Sequence, residues 1–457
     1  MMDFIKITVA FVGYCIVGPF AGIAIRAYPR FVDLAAFGLV FLTGLHIDTT
    51  IIAVGSIEWY RGIAKGYEFT MMEVAAVVLI FATIGGKEKG SLSIGKALFC
   101  PTALLWYLYI FISMTSLLSA LQWNYVLMAF VKFSKAWLVC LAIWSYTRSE
   151  REIHVVLTSI SIMILYQFFW VAKMKWIDGF YQVRGLFEHQ NPLAMFTYMA
   201  VLPLLAVALS PKVSNRLALL YTAGFGSGSI IILATLSRAA LLFFAVGTLG
   251  IVAWSILNKP TLRRIGFVAF MSLGGAVVLA ATADTIIARF NDEGNEASGE
   301  TRTVMNLASI AMVKEKPLGV GWNNFAKAIN HPYPYGDVID DWNRGRGQKV
   351  DEGYAKGVVE SHYYLLLAEN GYLGLATFLI LIIWIQVSAG YSSLRHWFSM
   401  RGALCIGVFV GFFLTYVHSN LERVLTQTKN FTLWMILIGL VIRIAYDRSI
   451  RNLPKDG

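Results

Sequence analysis

Charge is what this sequence has least of. Only 14% of its 457 residues are Asp, Glu, Lys or Arg, against about 25% in an ordinary soluble domain. With 57% hydrophobic residues and a mean hydropathy of +0.64, a soluble enzyme is excluded. Cysteine is scarce as well. Cys15, Cys100, Cys140 and Cys405 lie far apart inside apolar runs and form no CxxC pair. They read as small buried hydrophobes, which excludes a secreted disulfide scaffold and gives no zinc site. Neither a Walker loop nor a GxGxxG occurs, so an ATP-driven reaction is not expected. The scattered His, Asp and Glu residues show no recurring ligand spacing, so no metal and no cofactor is expected. Repeats and low-complexity tracts are missing too.

What is present is a basic excess, Lys+Arg 38 against Asp+Glu 27, a net +11. Such an excess can signal nucleic acid, but the apolar runs leave no soluble domain to carry a basic face. The excess fits the Lys- and Arg-rich cytoplasmic loops of a polytopic membrane protein. A crossing helix needs about 20 apolar residues. Thirteen candidates are found: 7–25, 31–54, 69–84, 97–119, 123–146, 154–172, 192–209, 217–235, 239–257, 265–283, 363–388, 402–418 and 430–446. The 31–54 run carries Asp33, His46 and Asp48, and the 69–84 run is short. Met1 to Lys6 is only weakly basic and no small-residue cleavage site clearly follows, so the first apolar segment is expected to be a retained span.

The connections sort by charge. Lys87, Lys89 and Lys96 fall in one, Arg148 and Arg151 in the next, then Lys212 and Arg216, then Lys259, Arg263 and Arg264, then Arg395 and Arg401, then the tail with Arg448, Arg451 and Lys455. These alternate along the chain, so they share one side, cytoplasmic by the positive-inside rule. External are then Glu58–Glu68, 120–122, 173–191, the Leu236–Arg238 turn, 284–362 and 419–429. Thirteen spans put the N-terminus outside; twelve put it inside, the commoner state for an uncleaved first span. The expectation is an all-α polytopic membrane protein of about twelve (12–13) transmembrane helices, one of the first five candidates being no full span. Its expected parts are N-terminal spans at 1–283, an external domain at 284–362, and C-terminal spans with a cytoplasmic tail at 363–457.

The stretch from Asp284 to Glu360 holds 12 of the 27 acidic residues and 9 of the 38 basic ones, a net −3 that leaves +14 for the rest. A connection this long is rarely structureless and is usually functional. Within it, Val304, Leu307, Ala311 and Met312 space an amphipathic helix over Thr303 to Lys316, ended by Pro317. Gly319 to Gly357, rich in Gly, Asn, Pro and Tyr, reads as ordered loop.

Charge at a membrane edge is costly and so marks function. Arg184 precedes a span for which Asn191 is the expected N-cap and Pro192 the first helical residue. A guanidinium beside free helix N–H groups either forms an anion site or snorkels to head groups. His189 has no second ligand at helical or turn spacing and reads as a polar loop residue. Arg238 lies between two apolar runs with almost no loop around it; it either faces an interior or cavity, or marks a tight turn. In Val359-Glu360-Ser361-His362, a carboxylate and an imidazole two residues apart can supply a general base. Residues two apart do not share a helix face, so only one need point into a site. The other reading makes Glu360 or Ser361 a cap and His362 an interfacial ring. Taken together, two guanidiniums and a base suit a reaction on a membrane-bound diphosphate.

Four segments in order carry a resemblance: RGLFEHQNPLA at 184–194, TLSRAAL at 235–241, TRTVMNLASIAMVKEKPLGVGWNNF at 301–325 and SHYYLLLAENGYLGL at 361–375. Over about residues 180–380 the chain resembles the O-antigen ligase and Wzy-type polymerase superfamily; the first 170 residues match only in being helical. The resemblance implies a metal-independent, inverting glycosyltransferase of the bacterial inner membrane, without cofactor, working on the periplasmic face in O-antigen or exopolysaccharide synthesis. The donor would be an undecaprenyl-diphosphate-linked glycan. The acceptor would be a lipid A-core, a growing polysaccharide or a protein. By motif, Arg184 and Arg238 would hold the diphosphate, and Arg302 would contact sugar or diphosphate. Family members commonly carry His-Asn about nine residues before the Glu of the Leu-Ala-Glu run; here that spacing lands on Glu360. The base is therefore Glu360, or His362 after a two-residue deletion. A glycan transporter or flippase is the alternative, lowered by the lack of internal duplication and by charges at span ends rather than centres. A non-catalytic scaffold is a third.

Overall fold

The computed structural model describes residues 2–45, 51–84, 94–258, 260–269, 274–275, 283–284, 287, 294–347 and 356–446. His46, Asp48, Lys87, Lys89, Lys259, the C-terminal tail and most of the 265–283 candidate lie outside them. The described chain is helical apart from one two-stranded antiparallel hairpin, β1 (Ile51–Val54) on β2 (Tyr67–Thr70). Among the described residues ten helices are long and apolar enough to cross a membrane. They are α1 (Asp3–Ile25), α4 (Pro101–Ser119), α5 (Trp123–Tyr146), α6 (Glu150–Ile177), α7 (Gln190–Ala208), α8 (Asn215–Thr235), α9 (Arg238–Asn258), α12 (His362–Arg395), α13 (Met400–His418) and α14 (Thr428–Tyr446). Two shorter helices, α2 (Pro29–Leu42) and α3 (Met71–Thr83), pack among the first of these. The protein is an all-α polytopic membrane protein.

Local sequence places the helix starts. Thr70 and Glu73 form a reciprocal capping box that opens α3 straight out of β2, and Ser149 with Glu152 does the same for α6, each satisfying two orphan N–H groups. The core is aromatic. Trp106 of α4 stacks on Phe133 and Trp137 of α5 at 6.0 and 5.8 Å and meets Phe431 and Trp434 of α14 at 6.1 and 6.2 Å. α7 lies at the centre, buried over nearly its whole length. α1 shows Phe4, Phe11, Phe20 and Ile23 outward, as a lipid-facing helix does.

The two ends of the bundle differ in charge. At one, Arg148 donates to the Thr83 carbonyl at 2.6 Å, Arg264 to the Leu209 and Ser255 carbonyls at 3.0 and 2.7 Å, and Arg263 to those of Ser210 and Val213. Arg401 pairs with Glu150 at 3.4 Å. Arg26 lines a cleft there with Arg148 and Arg151. These guanidiniums close the last carbonyls of helix ends, which have no partner within their own helices. The expected grouping of Arg148, Arg151, Arg263, Arg264 and Arg401 on one side is thus present as a basic end.

The first five candidates run differently from the expectation of twelve spans. The 31–54 run does not continue as one helix: α2 stops at Leu42, and Ile51–Val54 is a strand of the hairpin. Yet α2 begins at the basic end, where Asp33 accepts from Tyr146 and Arg151, and α3 returns there at Thr83. α1 starts at the opposite end, its Lys6 ammonium 3.0 Å from the Ala53 carbonyl of β1. The start of α1 therefore sits away from the basic end. α2 and α3 are shorter than the ten candidate spans.

The end opposite the basic residues, the distal end, carries α10 (Gly294–Glu315), a short turn at Phe325–Ala328 and α11 (Asp337–Gly345). α10 begins nine residues earlier than expected. Its buried face is Val304, Met305, Ala308 and Met312, while Leu307 and Ala311 face out. This face shares a second apolar core with Tyr60 and Ala64 after β1, Tyr125 and Met128 of α5, and Leu365 and Ala368 of α12. The Gly319–Gly321 loop is seated on a kink in α12, where Gly371 takes φ 66°. There the Val320 N–H donates to the Ala368 carbonyl at 2.8 Å, the Phe325 N–H to the Glu369 carboxyl at 3.0 Å, and the Trp322 N–H to Ser116 at 2.9 Å.

Candidate functional site

The five residues singled out from sequence all lie at the distal end, on four separate segments. Arg184 stands exposed in a tight turn before α7, where the Phe187 N–H donates to its carbonyl at 2.9 Å and its own guanidinium reaches the Glu188 carbonyl at 3.4 Å. α7 starts at Gln190, two residues earlier than Pro192 would require, and its N-cap is His189, whose Nδ1 accepts from the Asn191 N–H at 3.4 Å. Pro192 sits in the first turn, where its missing N–H costs nothing. Asn191 is thereby released from capping, and its side chain donates to Glu422 at 2.7 Å. Arg238 opens α9 directly after Leu236, which takes the left-handed φ of 52°. It is half-buried, and five residues on, Phe243 packs on the His418 ring at 5.1 Å.

Arg302 of α10 is the link between segments. Its Nε donates to the Glu360 carboxylate, and its Nη2 lies 3.4 Å from Glu422 in the α13–α14 connection. Glu360 is half-exposed, whereas the Glu422 side chain is 14% exposed. Burial, with the Glu360 charge added, pushes the Glu422 carboxyl up to about 7, against the pull of Arg302 and Arg423. Arg423 is itself lowered by burial but held charged by Glu369, Glu422, Glu360 and Glu188. His189 is lowered by burial and feels the Glu360 charge. Glu188, His189, Asn191, Arg302, Glu360, Glu422 and Arg423 thus form one charged cluster drawn from three connections and two helices.

His362 takes no part in it. Its ring is fully buried, set edge-on to Phe378 at 5.2 Å, and neither ring nitrogen has a hydrogen-bond partner among the described residues. Its backbone N–H donates to Ser419 at 2.8 Å, and Ser361 caps the helix through the Tyr364 N–H. The two-residue offset rotates the pair onto different faces, so the carboxylate meets Arg302 and the imidazole enters the core. The imidazole that borders the site is His418, fully buried, its Nδ1 3.1 Å from the Tyr198 hydroxyl.

Beside the cluster a cavity of about 220 Å³ opens between the loop after β1, α5 and the start of α14. Five cations line it, Arg61, Lys65, Lys132, Arg423 and Lys429, against two carboxylates, Glu68 and Glu188. Arg423 and Glu188 belong to cavity and cluster alike. Sequence reasoning missed Glu422, Arg423, His418 and this cavity. Glu422-Arg423 in a nine-residue connection, and Lys132 inside an apolar span, met the same charge-at-the-membrane criterion that selected Arg238. Among the described residues one trio with metal-ligand chemistry occurs, His331, Asp337 and Asp340. Buried Lys356 already stands 3.0 Å from Asp340, so the chain supplies the positive charge there.

Residues 223–379 match the family model described as O-antigen ligase. No curated protein matches the chain. The matched stretch contains Arg238, Arg302, Glu360 and His362; Arg184, Glu422 and Arg423 lie outside it.

Proposed function

Taking the chain as one that carries an O-antigen ligase domain, we propose that it moves a glycan from an undecaprenyl-diphosphate carrier to a hydroxyl acceptor at the outer face of the bacterial inner membrane. The family match over residues 223–379 and the ten candidate membrane helices support a multi-pass membrane enzyme of the ligase or polymerase type. The donor, the direction and the residue roles are the reading offered here. By the positive-inside rule the basic end is cytoplasmic and the distal end periplasmic. The observation that carries the reading is the Arg302–Glu360–Glu422 contact. It draws a half-exposed carboxylate and buried charges to the mouths of membrane helices, where unpaired charge is expensive and marks function.

Glu360, oriented by Arg302, takes the proton of the acceptor hydroxyl. The hydroxyl oxygen attacks the anomeric carbon of the donor sugar, the bond from that carbon to the diphosphate oxygen breaks, and the leaving diphosphate keeps the electron pair. Arg184 and Arg238 carry that growing charge, bidentate contact being what a guanidinium offers a phosphate. Attack opposite the leaving group inverts the anomeric centre, and the guanidiniums supply the charge that a metal ion supplies elsewhere. Arg302 is then a positioning residue, and so is Glu422.

The test is turnover by purified protein in detergent, given an undecaprenyl-diphosphate glycan and a panel of lipid, glycan and protein acceptors without ATP or metal. Transfer to one acceptor is expected, and its identity separates ligase from polymerase. No transfer to any acceptor, together with carrier movement across liposomes, would sink the enzyme reading in favour of transport.

A further inference from the structure

The cavity beside the cluster is charged for a ligand of its own. Of its two carboxylates, Glu68 is already engaged, by Lys132 at 3.4 Å and by the Thr428 hydroxyl at 3.1 Å. Lys429 donates to the Leu186 carbonyl, and Arg423 is shared with the carboxylates of the cluster. Arg61 and Lys65 stand on the exposed rim, with Glu188 the remaining carboxylate of the lining. Asn430 is fully buried behind one wall, its side-chain N–H donating to the Pro192 carbonyl at 3.3 Å. Another wall is the Phe187 ring, with the Lys429 ammonium 4.4 Å from its centre. At about 220 Å³ the space is below the roughly 300–1,000 Å³ of whole small-molecule sites, and so is sized for one residue of a longer ligand.

We infer that this cavity binds one acidic sugar residue, a hexuronate, of the glycan being joined. Its carboxylate would meet Arg61 and Lys65, and the ring would lie near Phe187. Because Arg423 and Glu188 are shared with the cluster, the neighbouring sugar of the same glycan would reach Glu360. The inference rests on the glycan-transfer reading for the identity of the ligand, but its test is a binding measurement that needs no turnover.

Full-length protein in detergent is titrated with a hexuronate-containing oligosaccharide, with a neutral oligosaccharide of equal length, and with inorganic pyrophosphate. The acidic oligosaccharide is expected to bind more tightly than the neutral one, on the order of tenfold for each charge-assisted contact, with the preference shrinking as salt rises. The double variant Arg61→Gln/Lys65→Gln changes two exposed rim residues and is expected to fold normally and to lose the preference. Pyrophosphate binding is expected to stay unchanged in it. Equal binding of the two oligosaccharides, or a preference that survives in the double variant, overturns the acidic-sugar site. A parallel loss of pyrophosphate affinity overturns it in another way, making the cavity the seat of the carrier's diphosphate. Failure of glycan transfer with the acidic preference intact would count against the enzyme reading alone.

Discussion

Glu360 and His362 stand two residues apart, one just before and one inside the SHYYLLLAENGYLGL segment, yet their surroundings are opposite. A half-exposed carboxylate held by Arg302 can accept a proton from an incoming hydroxyl; an imidazole sealed against Phe378 cannot be reached by one. Glu360→Gln is therefore expected to lower turnover by about 10²–10⁴, the usual worth of a positioned base. His362→Gln, keeping polarity and similar volume, is expected to stay within a few-fold, and a larger loss there than at Glu360 would reverse the assignment. For the guanidiniums, Arg184→Ala and Arg238→Ala are each expected to cost about 10²–10³ in turnover, as for one electrostatic donor to a developing anion, while the protein still inserts. Near-normal transfer by either variant removes that arginine from the mechanism. Glu422 adds a pH signature. Its carboxyl, raised to about 7 by burial and Glu360, is neutral below that pH and negative above it. If the carrier's diphosphate binds at this end of the bundle as proposed, the added negative charge should raise KM for the carrier as pH climbs through about 7. In Glu422→Gln that rise should disappear; a profile unchanged by the substitution would rule out Glu422 as its source.

At the scale of elements, the two most recognisable stretches of sequence turn out to hold each other. The Lys-Pro-Leu-Gly-Val-Gly-Trp run and the Leu-Ala-Glu-Asn-Gly-Tyr run interlock through backbone hydrogen bonds at the kink of α12. Gly371 is required twice over: its φ of 66° is left-handed, and a Cβ would overlap the Pro317 carbonyl. Gly371→Ala should therefore cost at least the ~1–2 kcal/mol of a left-handed L-residue, seen as a lowered unfolding temperature in detergent. Transfer should fall with it, since this joint sets the height of α10, and hence of Arg302, over Glu360. A variant of unchanged stability would show that the loop can move aside. The hydrophobic periodicity of α10 predicted its existence and its stop at Pro317. It misplaced part of the buried face, because which side of an external helix is covered depends on the neighbours it meets, here Tyr60, Tyr125 and α12.

For the whole molecule, the charge asymmetry gives a direct topological expectation. A single cysteine at Tyr181, on the exposed distal segment, should react with a membrane-impermeant thiol reagent in intact spheroplasts. A cysteine at Arg216, at the basic end, should react only after lysis, with the protein bearing no added cysteine as the control. The reverse pattern would invert the orientation and put the cluster in the cytoplasm.

The scarcity of charge was enough to determine a membrane protein, most of its passes and its basic end, because a lipid solvent demands continuous apolar helices and loop charge is read locally. Arg184, Arg238 and Arg302 were legible for the same reason: a charge at a span edge is conspicuous without its neighbours. The choice between Glu360 and His362, the partnership of Arg302 with Glu422, the role of Asn191 and the cationic cavity were decided only by tertiary structure. Each depends on which segments come together across tens to hundreds of residues of chain, and the pattern within any one segment carries no record of that. The two short helices α2 and α3 belong with them, since a hairpin folded against the start of α1 is a long-range contact that a hydropathy window does not contain.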